Sequence, residues 1–259
     1  MRLFKKELTP AEVVKRSRED RFDSRELING IFTDFFELHG DRLSADDPSI
    51  IGGLAMLGEQ PVTVIATNKG KNLDEKLTTH NGSPEPSGYR KALRLMQAAA
   101  KFNRPIITFI NTPGAYPGKA AEENGQGAAI AQDILTSMKL PVPIIAIIFG
   151  EGGSGGALAL ATADQVWMVD NSTYSILSPE GFASILWKDS KRADEAAEVM
   201  GLTAKDLLAA GVIDYIIPDS RSKRVFQLLR ARLNREIGQL QTLAPSTLLK
   251  QRHARFRKF

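Results

Sequence analysis

Apolar positions along the 259-residue chain switch between a helical and a strand period, and the switches mark its elements. Thr9-Pro10-Ala11-Glu12 has the make-up of a capping box with proline at the first helical position, which predicts a helix through about Arg18. Leu27, Ile28, Ile31, Phe32, Phe35 and Phe36 recur at helical spacing and predict a second helix over Ser24 to Leu38, able to dock on a larger body. Ser49 to Leu57 and Pro61 to Asn68 read as strands joined in a hairpin at Gly58-Glu59-Gln60. The polar stretch from Lys69 to Pro86 lacks periodicity, and about 18 such residues in a compact protein form a functional or mobile loop. Its three lysines could meet phosphates or simply be solvated. Tyr89, Ala92, Leu93, Met96, Ala99 and Ala100 predict a helix from Ser87 to near Asn103.

From 105 to 217 strands and helices alternate. Pro105 to Ile110 and Pro143 to Phe149 are apolar enough to be strands buried on both faces. Glu122 to Met138 is a helix, and Ala157 to Ala163 begins a buried one. Short strands follow at Gln165–Val169 and Thr173–Leu177, and Ser178-Pro179 caps another helix. Residues 192–210 read as two helices broken at Gly201-Leu202-Thr203, Val212 to Ile217 as a last strand, and Ser222 to Leu240 as a closing amphipathic helix. The class is α/β with crossover connections. Residues 1–45 form a helical extension too small to hold a core alone, 46–240 the main domain, and 241–259 a tail. The tail holds the one basic cluster, His253 to Phe259, which reads as solvated or frayed, or else as a seat for an anionic ligand or acidic partner surface.

Composition narrows the chemistry. With 42% hydrophobic residues the chain can bury a large core, and its zero cysteines exclude disulfides and thiolate metal ligands. Three scattered histidines predict no metal site. No apolar run reaches membrane length, and Met1 to Glu7 lacks the apolar core of a signal peptide, so a cytoplasmic location is expected. A net charge of +4 spread along the chain gives no nucleic-acid signature.

The chemistry concentrates at two glycine turns. Gly150-Glu151-Gly152-Gly153-Ser154-Gly155-Gly156-Ala157 lies between a strand and a helix, where missing Cβ atoms let a ligand approach unpaired N–H groups. No G-x-x-x-x-G-K-[ST] occurs in the chain, which excludes a Walker phosphate cradle. Gly152 to Gly156 satisfies the G-x-S-x-G of a nucleophile elbow, but His39 and His80 precede Ser154, against the usual order, and His253 lies in the tail. Tight helix and strand packing is the plainer alternative. The second turn, Asn111-Thr112-Pro113-Gly114-Ala115-Tyr116-Pro117-Gly118, also follows a buried strand and is separated from the first by one helix. That spacing sets the amides near Gly114 and Ala115 opposite those near Gly156 and Ala157, an oxyanion hole of main-chain donors. Glu151, Glu180 and Glu122 could do acid or base work, or cap and hydrogen-bond loop amides.

These two turns, with Glu122 to Gly127, Tyr174 to Gly181 and Ser87 to Met96, resemble the carboxyltransferase α subunits of bacterial acetyl-CoA carboxylase, in order over roughly residues 5 to 240. The resemblance implies a crotonase-like ββα spiral that transfers a carboxyl group from carboxybiotin to acetyl-CoA, giving malonyl-CoA for fatty acid biosynthesis. It implies a β subunit that holds zinc and much of the CoA site, a biotin carboxyl carrier protein, a biotin carboxylase and an α2β2 core. Carried over by position, the amides of Ala115 and of Gly156 or Ala157 hold the ureido oxygen of biotin, with Gly114, Tyr116 and Gly155 on the same side. Asn111 stands where many relatives have an acid, and the 69–86 loop is less basic than in some. Two other readings are a crotonase-like acyl-CoA enzyme working alone and an inert scaffold that holds a partner.

Overall fold

The computed structural model describes residues 7–19, 22–220 and 222–259; the chain start at Met1 to Lys6 lies outside them. Helix α1 (Pro10–Arg18) opens on the expected box: Glu12 N–H donates to Thr9 Oγ1 and Thr9 N–H to the Glu12 carboxylate. Helix α2 (Ser24–Ile31), capped by Asp23, stops seven residues short of the predicted Leu38. The chain turns extended at Phe32, and β1 (Thr33–Glu37) pairs antiparallel with β2 (Ile50–Leu57). Leu27, Ile28, Ile31 and Phe32 are buried while Phe36 stays 66% exposed, so the helical stripe ends where an open sheet edge competes for the backbone. The hairpin closes with β3 (Gln60–Thr67).

The stretch expected as an irregular loop contains α3 (Leu73–Thr78) and a single turn at His80–Gly82. None of the residues of α3 is buried, and its Leu73 and Leu77 are exposed, so core packing does not hold it; Asn72 caps it by accepting from Glu75 N–H. Then come α4 (Pro86–Lys101), β4 (Ile106–Thr112), α5 (Lys119–Glu123) and α6 (Gln126–Ser137). The last two replace one predicted helix, which breaks at Gly125 (φ 81°). Strand β5 (Ile144–Gly153) runs on through the first glycines, so α7 (Ser154–Ala161) begins at Ser154. The rest are β6 (Gln165–Val169), β7 (Thr173–Ser175), α8 (Pro179–Trp187), α9 (Ala193–Val199), α10 (Ala204–Ala209), β8 (Tyr215–Ile217), α11 (Lys223–Gln241) and α12 (Pro245–Phe256).

The sheet has the order β1-β2-β3-β4-β5-β6-β8, with β7 added alongside the far end of β5. Pairing is antiparallel from β1 to β3 and parallel from β3 onward. Ile145, Ile147 and Phe149 of β5 face a core closed by α2 and α11, and Ile144, Ala146 and Ile148 face one closed by α4 and α7. Burial on both sides explains why these strands read as unbroken apolar runs.

Helix α12 occupies the segment expected as a solvated or frayed tail. Arg252, 1% exposed, donates to the carbonyls of Ser137, Leu140 and Val142 and to both oxygens of Asp164. The orphan carbonyls at the end of α6 thus receive their donors from the end of the chain.

Candidate active site

Parallel neighbours β4 and β5 end on the same side of the sheet, with Thr112 paired to Gly152, so their two glycine turns lie side by side. A Cβ built on Gly153 would stand 2.1 Å from Pro113 O and 2.9 Å from Gly114 N. One built on Gly156 would stand 2.5 Å from both Ala115 N and Tyr89 Oη. The turns therefore touch main chain to main chain, which only glycine allows.

The expected donors divide into engaged and unengaged groups. Gly114 N–H donates to Thr112 Oγ1 at 3.0 Å, and Tyr116 N–H donates to Pro84 O at 3.0 Å. Between them, Ala115 N–H has no acceptor among the described residues. Across from it, α7 has no side-chain cap, and the N–H groups of Gly155 and Gly156 lie in its first turn, short of any i−4 partner. Ala157 is the fourth residue of α7 and fully buried, the first position from which an N–H reaches back along the helix. Ser154 is exposed and left-handed (φ 55°), a strained strand-to-helix junction, yet no base serves it. His39 pairs with Asp46, His253 with Met138 O, and His80 stacks on Tyr116 at 4.0 Å between ring centroids.

Charged side chains flank the glycines without facing a free proton acceptor. The Glu151 carboxylate accepts from Lys69 Nζ at 2.5 Å and Arg18 Nε at 3.0 Å. Arg18 also grips Glu180 through two hydrogen bonds and, against the opposing effect of burial, holds its carboxyl down at about 2. Both carboxylates are committed to cations, which fits structural roles better than acid or base roles, and Glu122 is exposed on α5. A polar cavity of about 410 Å³, walled by Arg18, Lys69, Asn81 and Glu180, opens on the Gly152–Gly153 side. An apolar one of about 580 Å³, walled by Leu158, Phe182, Val199 and Leu207, opens on the Ser154–Gly155 side. Among the described residues no group of His, Asp and Glu is placed to hold a metal ion, and no helix is long and apolar enough to cross a membrane.

The sequence did not single out Tyr89, Arg18 or the anchoring role of Lys69. Tyr89 counts in the pattern as one more apolar position of α4, although its buried hydroxyl, with no hydrogen-bond partner among the described residues, abuts Gly156.

A family model described as acetyl co-enzyme A carboxylase carboxyltransferase-like matches residues 2–259. The acetyl-coenzyme A carboxylase carboxyl transferase subunit alpha of Streptococcus equi subsp. zooepidemicus is 58% identical over 252 residues, which cover 96% of this chain and 98% of that protein. The subunit of the same description from Streptococcus pyogenes serotype M5 is 56% identical over the same shares. The chain belongs to this carboxyltransferase alpha family. Solved structures agree with the fold. A transcarboxylase 12S structure matches with a TM-score of 0.70 at 18% identity, over 84% of this chain and 42% of that one. The Pseudomonas malonate decarboxylase MdcD-MdcE hetero-dimer matches with a TM-score of 0.60 at 17% identity, over 83% and 86%. The strand and helix order is thus the crotonase-like one of the carboxyltransferases. Within this family frame the glycine pair is made of backbone, and the carboxylates of Glu151 and Glu180 beside it are held by Lys69 and Arg18.

Proposed function

We propose that this chain is the alpha half of an acetyl-CoA carboxylase carboxyltransferase, moving a carboxyl group from carboxybiotin on a carrier protein to acetyl-CoA to form malonyl-CoA for fatty acid synthesis. The observation that carries the reading is the contact of two main-chain turns, with Ala115 N–H unengaged and the first turn of α7 uncapped beside it. When bound, carboxybiotin would supply the carboxyl carbon, released as CO2 when its bond to the ureido nitrogen breaks, and the nitrogen freed in this way would be the base for the acetyl methyl. The protein then needs no nucleophile of its own, only donors for the charge that develops, and the amides of Ala115 and Gly156 would hold the ureido oxygen. Gly155 and Tyr116 border that position, with Ala157 and Gly114 behind it.

Two charged oxygens develop in such a transfer, one on each reactant, and this chain offers one donor pair. The second pair belongs to a beta subunit, which also carries the zinc and most of the CoA site. The apolar cavity beside Ser154 is the surface for that subunit, because Ile176 and Val199 there are 80% and 63% exposed. The malonate decarboxylase neighbour is itself a hetero-dimer. The working assembly is an α2β2 core served in the cytoplasm by the biotin carboxyl carrier protein and biotin carboxylase.

The chain, its zinc-containing partner and the mixture are assayed for carboxyl transfer between malonyl-CoA and a free biotin derivative, with metal analysis of each. Turnover in the mixture alone, with zinc only in the partner, is the expected result. Turnover by the isolated chain would make it a self-sufficient acyl-CoA enzyme, and a complex without turnover would make it a scaffold.

A further inference from the structure

The ladder between β4 and β5 is regular from Ile106↔Ile144 to Ile110↔Ile148 and then shifts, so that the next pair is Thr112↔Gly152. Two steps along β4 correspond to four along β5, and the two extra residues lie within Phe149-Gly150-Glu151. The side chain of Asn111 fills the resulting gap. Its Oδ1 accepts from Glu151 N–H at 3.0 Å, in place of a ladder bond. Its amide group occupies the space where Gly150 would carry a Cβ, 2.3 Å from Oδ1 and 2.8 Å from Nδ2. Asn111 is 4% exposed, and its own N–H donates to Thr67 Oγ1 at 2.6 Å, which anchors it to β3.

An offset of two leaves the alternation of side chains between the two faces unchanged, so packing of the core does not demand it. Its effect falls on the turns. At about 3.3 Å per residue the offset moves β5 by about 6.6 Å relative to β4. Without it Gly153 would no longer meet Pro113 and Gly114, nor Gly156 meet Ala115, and a hydrogen-bonding pair cannot survive such a displacement. We propose that Asn111 is a positioning residue: its amide fixes the two-residue offset that brings Gly156 against Ala115 and so sets the spacing of the donor pair. The proposal rests on the carboxyltransferase reading for its kinetic arm only.

Asn111→Leu keeps the size and removes the acceptor, Asn111→Asp keeps an oxygen in place beside the cations that hold Glu151, and Gly150→Ala pushes against the amide from the other side. With the partner subunit present, Asn111→Leu and Gly150→Ala lower kcat for transfer by about 10²-fold, the loss typical of one oxyanion donor, while KM for malonyl-CoA stays within about twofold. Asn111→Asp restores kcat to within about fivefold of the original, and the amide of Glu151 exchanges hydrogen faster in the Leu variant than in the Asp variant. If Asn111→Leu does not fold, Gly150→Ala and Asn111→Asp carry the same comparison. Unchanged kcat in a folded Leu or Ala variant, or equal Glu151 exchange in Leu and Asp, overturns the proposal. If the unmodified pair of subunits shows no transfer at all, the functional reading fails instead, and exchange at Glu151 still decides the role of Asn111.

Discussion

At Gly156 both Ala115 N and Tyr89 Oη stand 2.5 Å from the place of a Cβ, so even alanine must force the two turns apart. Gly156→Ala is expected to lower carboxyl transfer by about 10²-fold or more, and Gly156→Val further, with acyl-CoA binding nearly intact. Affinity for malonyl-CoA and the transfer rate to a biotin derivative, measured on one sample, check it; lost CoA binding with retained biotin binding would reverse the assignment of the two halves. Asp133 poses a different case. Its carboxyl is buried with no hydrogen-bond partner among the described residues, and burial pushes it well above the usual carboxylate range. A raised native value means that its contribution to stability is full at low pH and is lost as pH rises beyond the unfolded value near 4. Asp133→Asn should therefore be more stable than the original at pH 8 and show little gain at pH 4; chemical denaturation at both values tests this. The glycine turns were legible because a run without Cβ atoms has few other uses. Asn111 drew notice only as a departure from relatives, because its work is to replace a main-chain bond, and no periodicity records that.

Among elements, α12 departs furthest from what the sequence suggested. Its burial depends on Leu248 and on a guanidinium, and an arginine counts as polar in any apolar pattern, so the helix left no stripe to read. Arg252→Ala should cost about 3–5 kcal/mol, since it leaves Asp164 a buried charge without its partner. Urea unfolding gives the value, and adding Asp164→Ala should recover part of it; a loss below about 1 kcal/mol would place α12 outside the cooperative core. The second helix failed in the opposite sense. Phe35 and Phe36 extend a helical stripe on paper, but the edge of β2 offered that backbone a ladder, and tertiary pairing outweighed local period.

For the whole molecule, the alternation from 105 to 217 was enough to give the parallel half of the sheet, because buried strands and crossover helices have distinct lengths and patterns. The exposed apolar face gave no sequence signal, since an exposed valine and a buried one are written alike. Ile176→Asp and Val199→Glu should each leave the isolated chain's stability within about 0.5 kcal/mol and weaken assembly with the beta subunit by about tenfold or more. Sedimentation of the mixed subunits reads the second effect; undiminished assembly in both variants would mean that the partner sits elsewhere. The clasp between Arg252 and Asp164 spans 88 positions, and it also bears on time. A chain that folds while it is made, at about 5–20 residues per second, would expose the carboxylate of Asp164 for about 4 to 18 s before the ribosome delivers its counter-ion. During that interval the carbonyls of Leu140 and Val142 would lack the donors that Arg252 later brings, so such a chain would pass through a stage in which nearly every strand exists and the clasp that fixes their connection does not.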